Sequence, residues 1–406
     1  MSLPRVALFA DSFHEINGAA HTCRQFEAFA KRRRQGFLSV RCGPEEFAAT
    51  HGPLWTLQFK RGRCSFAVDR DLHFDPTLFL RRERILETLR QFGPDVVHIT
   101  SPGELGILGA WAAHSLKVPF VASWHTNLHE FGARRLGWLL GMLPRRLRDP
   151  LTGATERWIL ERVLWFYGLA QATLAPNEEL VNLIRGVSRK PVFPMSRGVD
   201  TTQFCPERRD RTSGPFRLGF VGRLTPEKNV RFLAQLEQGL VKAGVGPFRL
   251  VITGDGGERT WLATHVRRAL LTGVLTGPML AREYANMDLF VFPSRTETFG
   301  NVVLEAMASG VPAVVTDAGG AKFLVEDGVS GRVAATSEEF IQVVTDLMSN
   351  SQLHHRMRLA ACVRARQFTW DHVFEQQVCR AYEACMNGGE KADLAPRLER
   401  LVAVEE

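Results

Sequence analysis

Along the chain, short β-branched apolar runs alternate with longer amphipathic segments. Runs at 6–10, 38–41, 96–99, 120–123 and 173–175 predict strands, with helical patterns between them at 22–33, 78–91 and 156–166. From about residue 217 the alternation restarts. Strands are predicted at 218–221, 249–253, 289–292 and 313–316, and helices at 229–243, 301–308 and 338–348. Strand–helix alternation of this kind predicts an α/β chain with parallel sheets and helices on both faces. Two such series predict two doubly wound, Rossmann-like domains.

The break between them falls at 189–215. It holds Pro191, Pro194, Gly198, Pro206, a run of Arg and Asp, and Gly214-Pro215, which is linker chemistry. The predicted domains are 1–195 and 196–369. A final helical pattern at 370–386 completes the first domain, and 387–406 is expected to be a flexible tail. The length of 406 residues suits this division. At 45% hydrophobic and 23% charged residues, global disorder is excluded.

Charge changes the picture more than composition does. Residues 1–195 hold 26 basic and 18 acidic side chains, while 196–406 hold 25 of each, so the whole net charge of +8 lies in the first half. A basic half suits an anionic partner. The segment from Arg134 to Arg148 places Trp138, Leu139, Leu140, Met142 and Leu143 between basic clusters, as in a stretch that rests on an anionic membrane surface. Lys31 to Arg34 reads as the favourably charged end of a helix. No nucleic-acid-binding pattern is present, so nucleic acid is not an expected partner. No apolar run approaches the roughly 20 residues of a membrane span, and no leader is evident. The chain is therefore expected in the cytoplasm, peripheral on the inner membrane face if that segment engages. Seven cysteines, an odd count without CxxC, read as small buried hydrophobes rather than disulfides or zinc ligands.

Four stretches at predicted strand ends carry chemistry. In Glu297-Thr-Phe-Gly-Asn-Val-Val-Leu-Glu305, Gly300 permits close backbone approach, and the amides around Asn301 open a helix suited to pyrophosphate. Glu297 and Glu305 are placed to accept from sugar and ribose hydroxyls. Gly222-Arg-Leu-Thr-Pro-Glu-Lys-Asn229 offers Arg223 and Lys228 to a diphosphate, or else a helix start capped by Thr225. Asp11-Ser-Phe-His-Glu-Ile-Asn-Gly18 supplies a tight turn before a helix. Ser123-Trp-His-Thr-Asn127 puts His125 just past a strand. Several lures carry less. Gly254-Asp-Gly-Gly257 is too short for a dinucleotide fingerprint, and Asp69-Arg-Asp71 lies in an apparently irregular stretch. His125 and His129 lack an HExxH context, so no metal is expected.

Together these motifs resemble retaining glycosyltransferase family 4, of the GT-B fold, in which two Rossmann-like domains face each other across a cleft. Within that family the likeness is to bacterial GDP-mannose-dependent α-mannosyltransferases and related lipid-directed hexosyltransferases, over about residues 5–385. It rests on Ser123-Trp-His-Thr-Asn127, Gly198-Val-Asp200, Gly222 to Lys228 and Glu297 to Gly310. The resemblance implies that Arg223 and Lys228 neutralise the departing diphosphate and that Glu297 contacts the donor hexose. It implies that the amides of Phe299, Gly300 and Asn301 hold sugar hydroxyls and phosphate, and that Glu305 accepts from ribose. Gly18 would border the diphosphate, and His125 would bond the transferring sugar. The implied donor is a nucleoside diphosphate sugar, GDP-mannose first and UDP-glucose second, with no cofactor. The implied acceptor is a hydroxyl on a lipid or glycan. Two departures stand out: Ala19-Ala20 after Gly18, and Phe323 where Gly319-Gly-Ala-Lys would usually be followed by Glu. A glycosyl phosphorylase, a nucleotide-sugar epimerase and a non-catalytic sugar-nucleotide binder share the scaffold. Phosphate-dependent release of hexose phosphate would mark the first, and binding without turnover the last.

Overall fold

Each apolar run predicted as a strand becomes one, and burial shows why. β1 (Val6–Ala10) is buried at every position, with helices and neighbouring strands covering it on all sides. The computed structural model describes residues 3–15, 17–62, 64–69, 72–125 and 145–387. Contacts divide the chain into two units, Met1–Met195 with Val373–Glu406, and Ser196–His372.

The first unit is built on an eight-stranded sheet. After β1 come β2 (Phe37–Gly43), β3 (Phe47–His51) and β4 (Leu54–Lys60). A separate antiparallel pair, β5 (Phe66–Asp69) with β6 (Leu72–Phe74), follows. The main sheet resumes with β7 (Val96–Ile99), β8 (Phe120–Ser123), β9 (Ala172–Ala175) and β10 (Val192–Pro194), in the order β10-β9-β8-β7-β1-β2-β4-β3. All pairings in it are parallel except β3 with β4. The strand order reverses at β1, between β2 and β7, which makes it doubly wound. The edges escaped the sequence pattern for a physical reason. β3 exposes most of its positions, so it has no apolar run, and β10 is short and ends in Pro194, which only an edge tolerates.

The helix expected at 156–166 runs from Arg145 to Tyr167. The C-terminal pattern forms Trp370–Val373, a π-helical turn at Phe374–Val378, and Cys379–Asn387. Phe374 packs its ring 4.7 Å from Phe26 and 4.8 Å from Phe29, on the helix Gly18–Arg33. Asp69 lies in a strand, not in irregular chain as expected. Of the seven cysteines only Cys23, Cys42 and Cys385 are buried; Cys64 is exposed and the others are half-buried.

The second unit has a six-stranded sheet, parallel throughout. Its strands are β11 (Phe216–Val221), β12 (Phe248–Thr253), β13 (Ala269–Gly273), β14 (Leu289–Phe292), β15 (Ala313–Thr316) and β16 (Gly331–Ala334). Their order is β13-β12-β11-β14-β15-β16, so the reversal falls between β11 and β14. At the opposite end of β14, Asp288 gathers the linker. It accepts from Arg209 at 2.7 Å, Arg211 at 2.8 Å and the amide of Arg217 at 2.9 Å. Arg358 stands 3.9 Å away. Burial alone would raise the Asp288 pKa, but these donors outweigh it and hold the carboxyl below its usual range.

Candidate functional site

The topology of the second unit brings two of the motifs together. β11 and β14 are adjacent, and their carboxyl ends flank the point where strand order reverses. Loops at such a point form the ligand crevice of open α/β sheets. β11 leads into Gly222-Arg-Leu-Thr-Pro-Glu-Lys, and β14 leads through Pro293-Ser-Arg into Glu297.

Each loop is braced by backbone. Gly222 donates to Thr253 O at 3.0 Å and Leu224 to Asp255 O at 2.9 Å. A Cβ on Gly254 would stand 1.9 Å from Gly222 O, at a φ of +136° that side chains rarely adopt. Gly254-Asp-Gly-Gly257 is thus no fingerprint but a close support for the Arg223 loop. Thr225 does not cap the short 3₁₀ turn Pro226–Lys228; its hydroxyl is buried with no partner among the described residues. Asn229, at the other end of that turn, takes the left-handed conformation at φ 52°, and its side-chain amide donates to Pro293 O at 3.3 Å, tying the two loops together. On the other side, the Gly320 amide donates to Glu297 O at 2.6 Å, and a Cβ there would meet Thr298 O at 2.1 Å.

These supports place the charged groups. The Lys228 ammonium donates to the Glu297 carboxylate, and the Lys228 side chain is only 13% exposed. Arg223 donates to Glu227 at 3.1 Å with its side chain 44% exposed. Gly300, at φ 101°, forms the N-cap of the helix Asn301–Ala308. The first amides of a helix lack intrahelical acceptors, so those at Asn301 open toward the loop. Phe299 is buried and anchors the turn. Glu305 lies on the same helix and accepts from the hydroxyl of buried Tyr284 at 2.9 Å. Burial pushes its carboxyl up to about 7, against the pull of that hydrogen bond. Lys228, Glu297, Phe299, Gly300, Asn301 and Glu305 are thus gathered on two neighbouring loops and one helix. Arg223 lies on the same loop as Lys228, paired outward with Glu227.

The first unit positions Gly18 and His125. Asn17 caps the helix that Gly18 begins, accepting from the Ala20 amide at 2.8 Å. Asp11 turns inward. It accepts from Ser101 Oγ at 2.5 Å and the Leu105 amide at 2.9 Å, and burial followed by Glu104 raises its pKa to about 7. His125, just past β8, is buried and bonded to Ser123 Oγ at 2.6 Å. Residues 126–130, including His129, lie outside the described residues, as do Asp71 and 134–144 of the candidate membrane segment; 145–148 open the helix Arg145–Tyr167. Among the described residues no cluster of His, Cys, Asp or Glu is arranged to hold a metal ion, and no helix is long and apolar enough to cross a membrane.

Several partners were not legible in sequence. Glu227 lay within a motif already singled out, and its spacing four residues from Arg223 was the available signal. Tyr284 had none, since it meets Glu305 only through the fold.

Residues 215–350 match the family model described as Glycosyl transferases group 1, and residues 44–203 match Glycosyltransferase Family 4. The chain is 30% identical over 383 residues to a GDP-mannose-dependent alpha-mannosyltransferase of Corynebacterium glutamicum, covering 92% of this chain and 87% of that one. It is 37% identical over 290 residues to a protein of the same description from Mycobacterium tuberculosis, covering 69% and 70%. A sucrose-phosphate synthase structure from Thermosynechococcus elongatus superposes with a TM-score of 0.68, covering 95% of this chain and 99% of that one at 17% identity, a likeness of fold.

Proposed function

The chain belongs to glycosyltransferase family 4 and has the GT-B fold, and from that premise we propose that it moves a hexose with retention to a hydroxyl of a lipid or glycan acceptor. As a glycosyltransferase it takes that sugar from a nucleotide sugar. The description of its relatives supports GDP-mannose as the donor, ahead of a UDP-glucose type. The observation that carries the site reading is the Lys228–Glu297 pair at the carboxyl ends of adjacent strands, beside the N-terminus of Asn301–Ala308.

The hard step is departure of the diphosphate from a carbon that becomes oxocarbenium-like. Positive charge fixed in place beforehand lowers that barrier. Lys228 has three donors, so it can keep Glu297 and still meet a phosphate oxygen. Arg223 adds a planar fork for two oxygens, and the amides of Phe299, Gly300 and Asn301 add the helix dipole. Glu297 faces the donor hexose, and Glu305 takes the ribose hydroxyls beside Tyr284. In the first unit, His125 is assigned to a sugar hydroxyl and Gly18 to the diphosphate. The acceptor attacks the face the diphosphate leaves, and that phosphate takes its proton.

Calorimetric titration with GDP, UDP and ADP, with and without EDTA, tests the donor. GDP is expected to bind tightest and EDTA to change nothing. Preference for UDP would move the donor to a glucosyl type, and binding of none would sink this donor site. For the acceptor side, the basic first half supports an anionic membrane surface, engaged through the segment from Arg134 to Arg148. Co-sedimentation with vesicles is expected to rise with anionic lipid content and to fall with salt. Indifference to anionic lipid would remove the membrane from the reading.

A further inference from the structure

A cleft of about 920 Å³ opens on the second unit, between the linker at 206–214 and the helix Ser351–Ala365. It lies at the amino ends of β11 and β14. Phe216 begins β11, Asp288 precedes β14, and both line the cleft. The loops of the candidate donor site follow the carboxyl ends of those same strands, so the cleft is separate from them. Its size is that of a small-molecule site and exceeds what a bare ion fills.

Charge decides what the cleft suits. Arg209, Arg211 and Arg358 line it, and Asp288 is the single carboxylate among the lining residues. Two acids close by in the linker are engaged elsewhere. Asp210 pairs with Arg282 and accepts from Asn286 at 2.7 Å, and Glu207 is exposed near Arg366. Two of the three arginines are committed to the fold. Arg209 donates to Ala285 O at 3.1 Å, to Met287 O at 2.9 Å and to Asp288, and Arg211 donates to Asp288 and to Pro215 O. Arg358 differs. Its side chain is 20% exposed, it makes no hydrogen bond among the described residues, and the shared Asp288 Oδ1 stands 3.9 Å from its Nη1. A guanidinium has five donors to place. Burial, and after it the charge of Arg209, lower the Arg358 pKa against the pull of Asp288. An anion in the cleft would meet uncommitted donors and relieve that repulsion. His354 adds no charge, because burial lowers its pKa; its ring is bonded to Asp288 O at 2.6 Å. Phe216 and the exposed Leu359 supply an apolar wall.

We propose that this cleft is a second ligand site, for a small organic phosphate whose phosphate group engages Arg358 and whose apolar body lies along Phe216 and Leu359. A phosphate suits the guanidinium because two of its oxygens match the planar fork. Such a ligand bridges the linker and the helix Ser351–Ala365, at the end of the sheet opposite the candidate donor site. The site stands whichever donor or acceptor the enzyme uses.

Calorimetric titration of the full chain with phenyl phosphate, inorganic phosphate and phenol tests this. Each is run on wild type and on Lys228→Ala, which weakens any phosphate binding at the candidate donor site. Phenyl phosphate is expected to bind both proteins, more tightly than inorganic phosphate does, and phenol to bind neither. Adding Arg358→Gln to Lys228→Ala is expected to weaken phenyl phosphate about 10- to 100-fold, the worth of a charged hydrogen bond. Adding Leu359→Glu instead sets a carboxylate beside the bound anion at an exposed position, and is expected to weaken it as well. That variant decides the outcome should Arg358→Gln fail to fold. Absence of phenyl phosphate binding in Lys228→Ala overturns the proposal, as does an affinity unchanged by Arg358→Gln. Phenol binding as tightly as phenyl phosphate overturns it too, since Arg358 would then take no part. Equal affinities for inorganic and phenyl phosphate would overturn the organic ligand.

Discussion

Lys228→Ala is expected to lower kcat by about 30- to 1,000-fold, or roughly 2–4 kcal/mol of barrier, while the chain keeps its fold. The size follows from where the ammonium sits. It is 13% exposed and bonded to Glu297, so water does not replace it at low cost. Its removal takes charge from the site of the leaving diphosphate and strips Glu297 of its counterion at the same time. Lys228→Arg keeps the charge but not the compact ammonium geometry, and is expected to restore only part of the rate. Glu297→Gln and the double variant complete a cycle. If the pair acts as a unit, the double variant loses much less than the two single losses combined. Steady-state kinetics with circular dichroism as the folding control measure all of this. A near-normal kcat in Lys228→Ala would take the residue out of the chemistry.

The second large effect is on stability. Asp288→Ala should destabilise the second unit by about 3–5 kcal/mol, because it leaves a group of guanidiniums without their shared carboxylate. Arg211, Arg358 and Arg209 are 12%, 20% and 24% exposed in their side chains, so solvent does little to compensate. The loss depends on pH, with a definite sign. The folded Asp288 pKa lies below the unfolded value of about 3.9. Its contribution is therefore complete above that value and disappears as pH falls through the folded one. Wild type and Asp288→Ala should differ most near neutrality and converge in acid below about pH 4. In a chain of two units a single melting curve mixes both. Amide hydrogen exchange in β11 and β14 reads the second unit alone. Equal protection in the two proteins at pH 7 would show that the linker is held by other contacts.

What could be read from the sequence was local. β1 and β14 are apolar and buried at every position, and β11 is apolar and buried from Leu218 on, so burial itself writes the pattern. Gly300 before Asn301, and Gly222 before Arg223, are legible because a backbone turn demands a residue type at one place. The same holds for the family resemblance, which rests on short stretches whose residues act together while lying close in sequence. Strand β3 was not legible, since an exposed edge imposes no apolar run, and neither was β10. The cap expected of Thr225 does not form, because its hydroxyl is buried with no partner among the described residues.

Tertiary structure decided what depends on groups distant in the chain. Lys228 and Glu297 are 69 residues apart, and they meet because strand order reverses between β11 and β14. His98 and Tyr382 are 284 apart, and they meet because the C-terminal helix packs with the first unit. Asp288 precedes a buried strand and looks like a surface acid until Arg209, Arg211 and Arg358 close around it. Hydrophobic periodicity and turn chemistry act between neighbours in sequence, so the chain itself carries them. Pairing of buried charges and contacts between buried polar side chains depend on which side chains share a desolvated space, and only the folded chain creates that space.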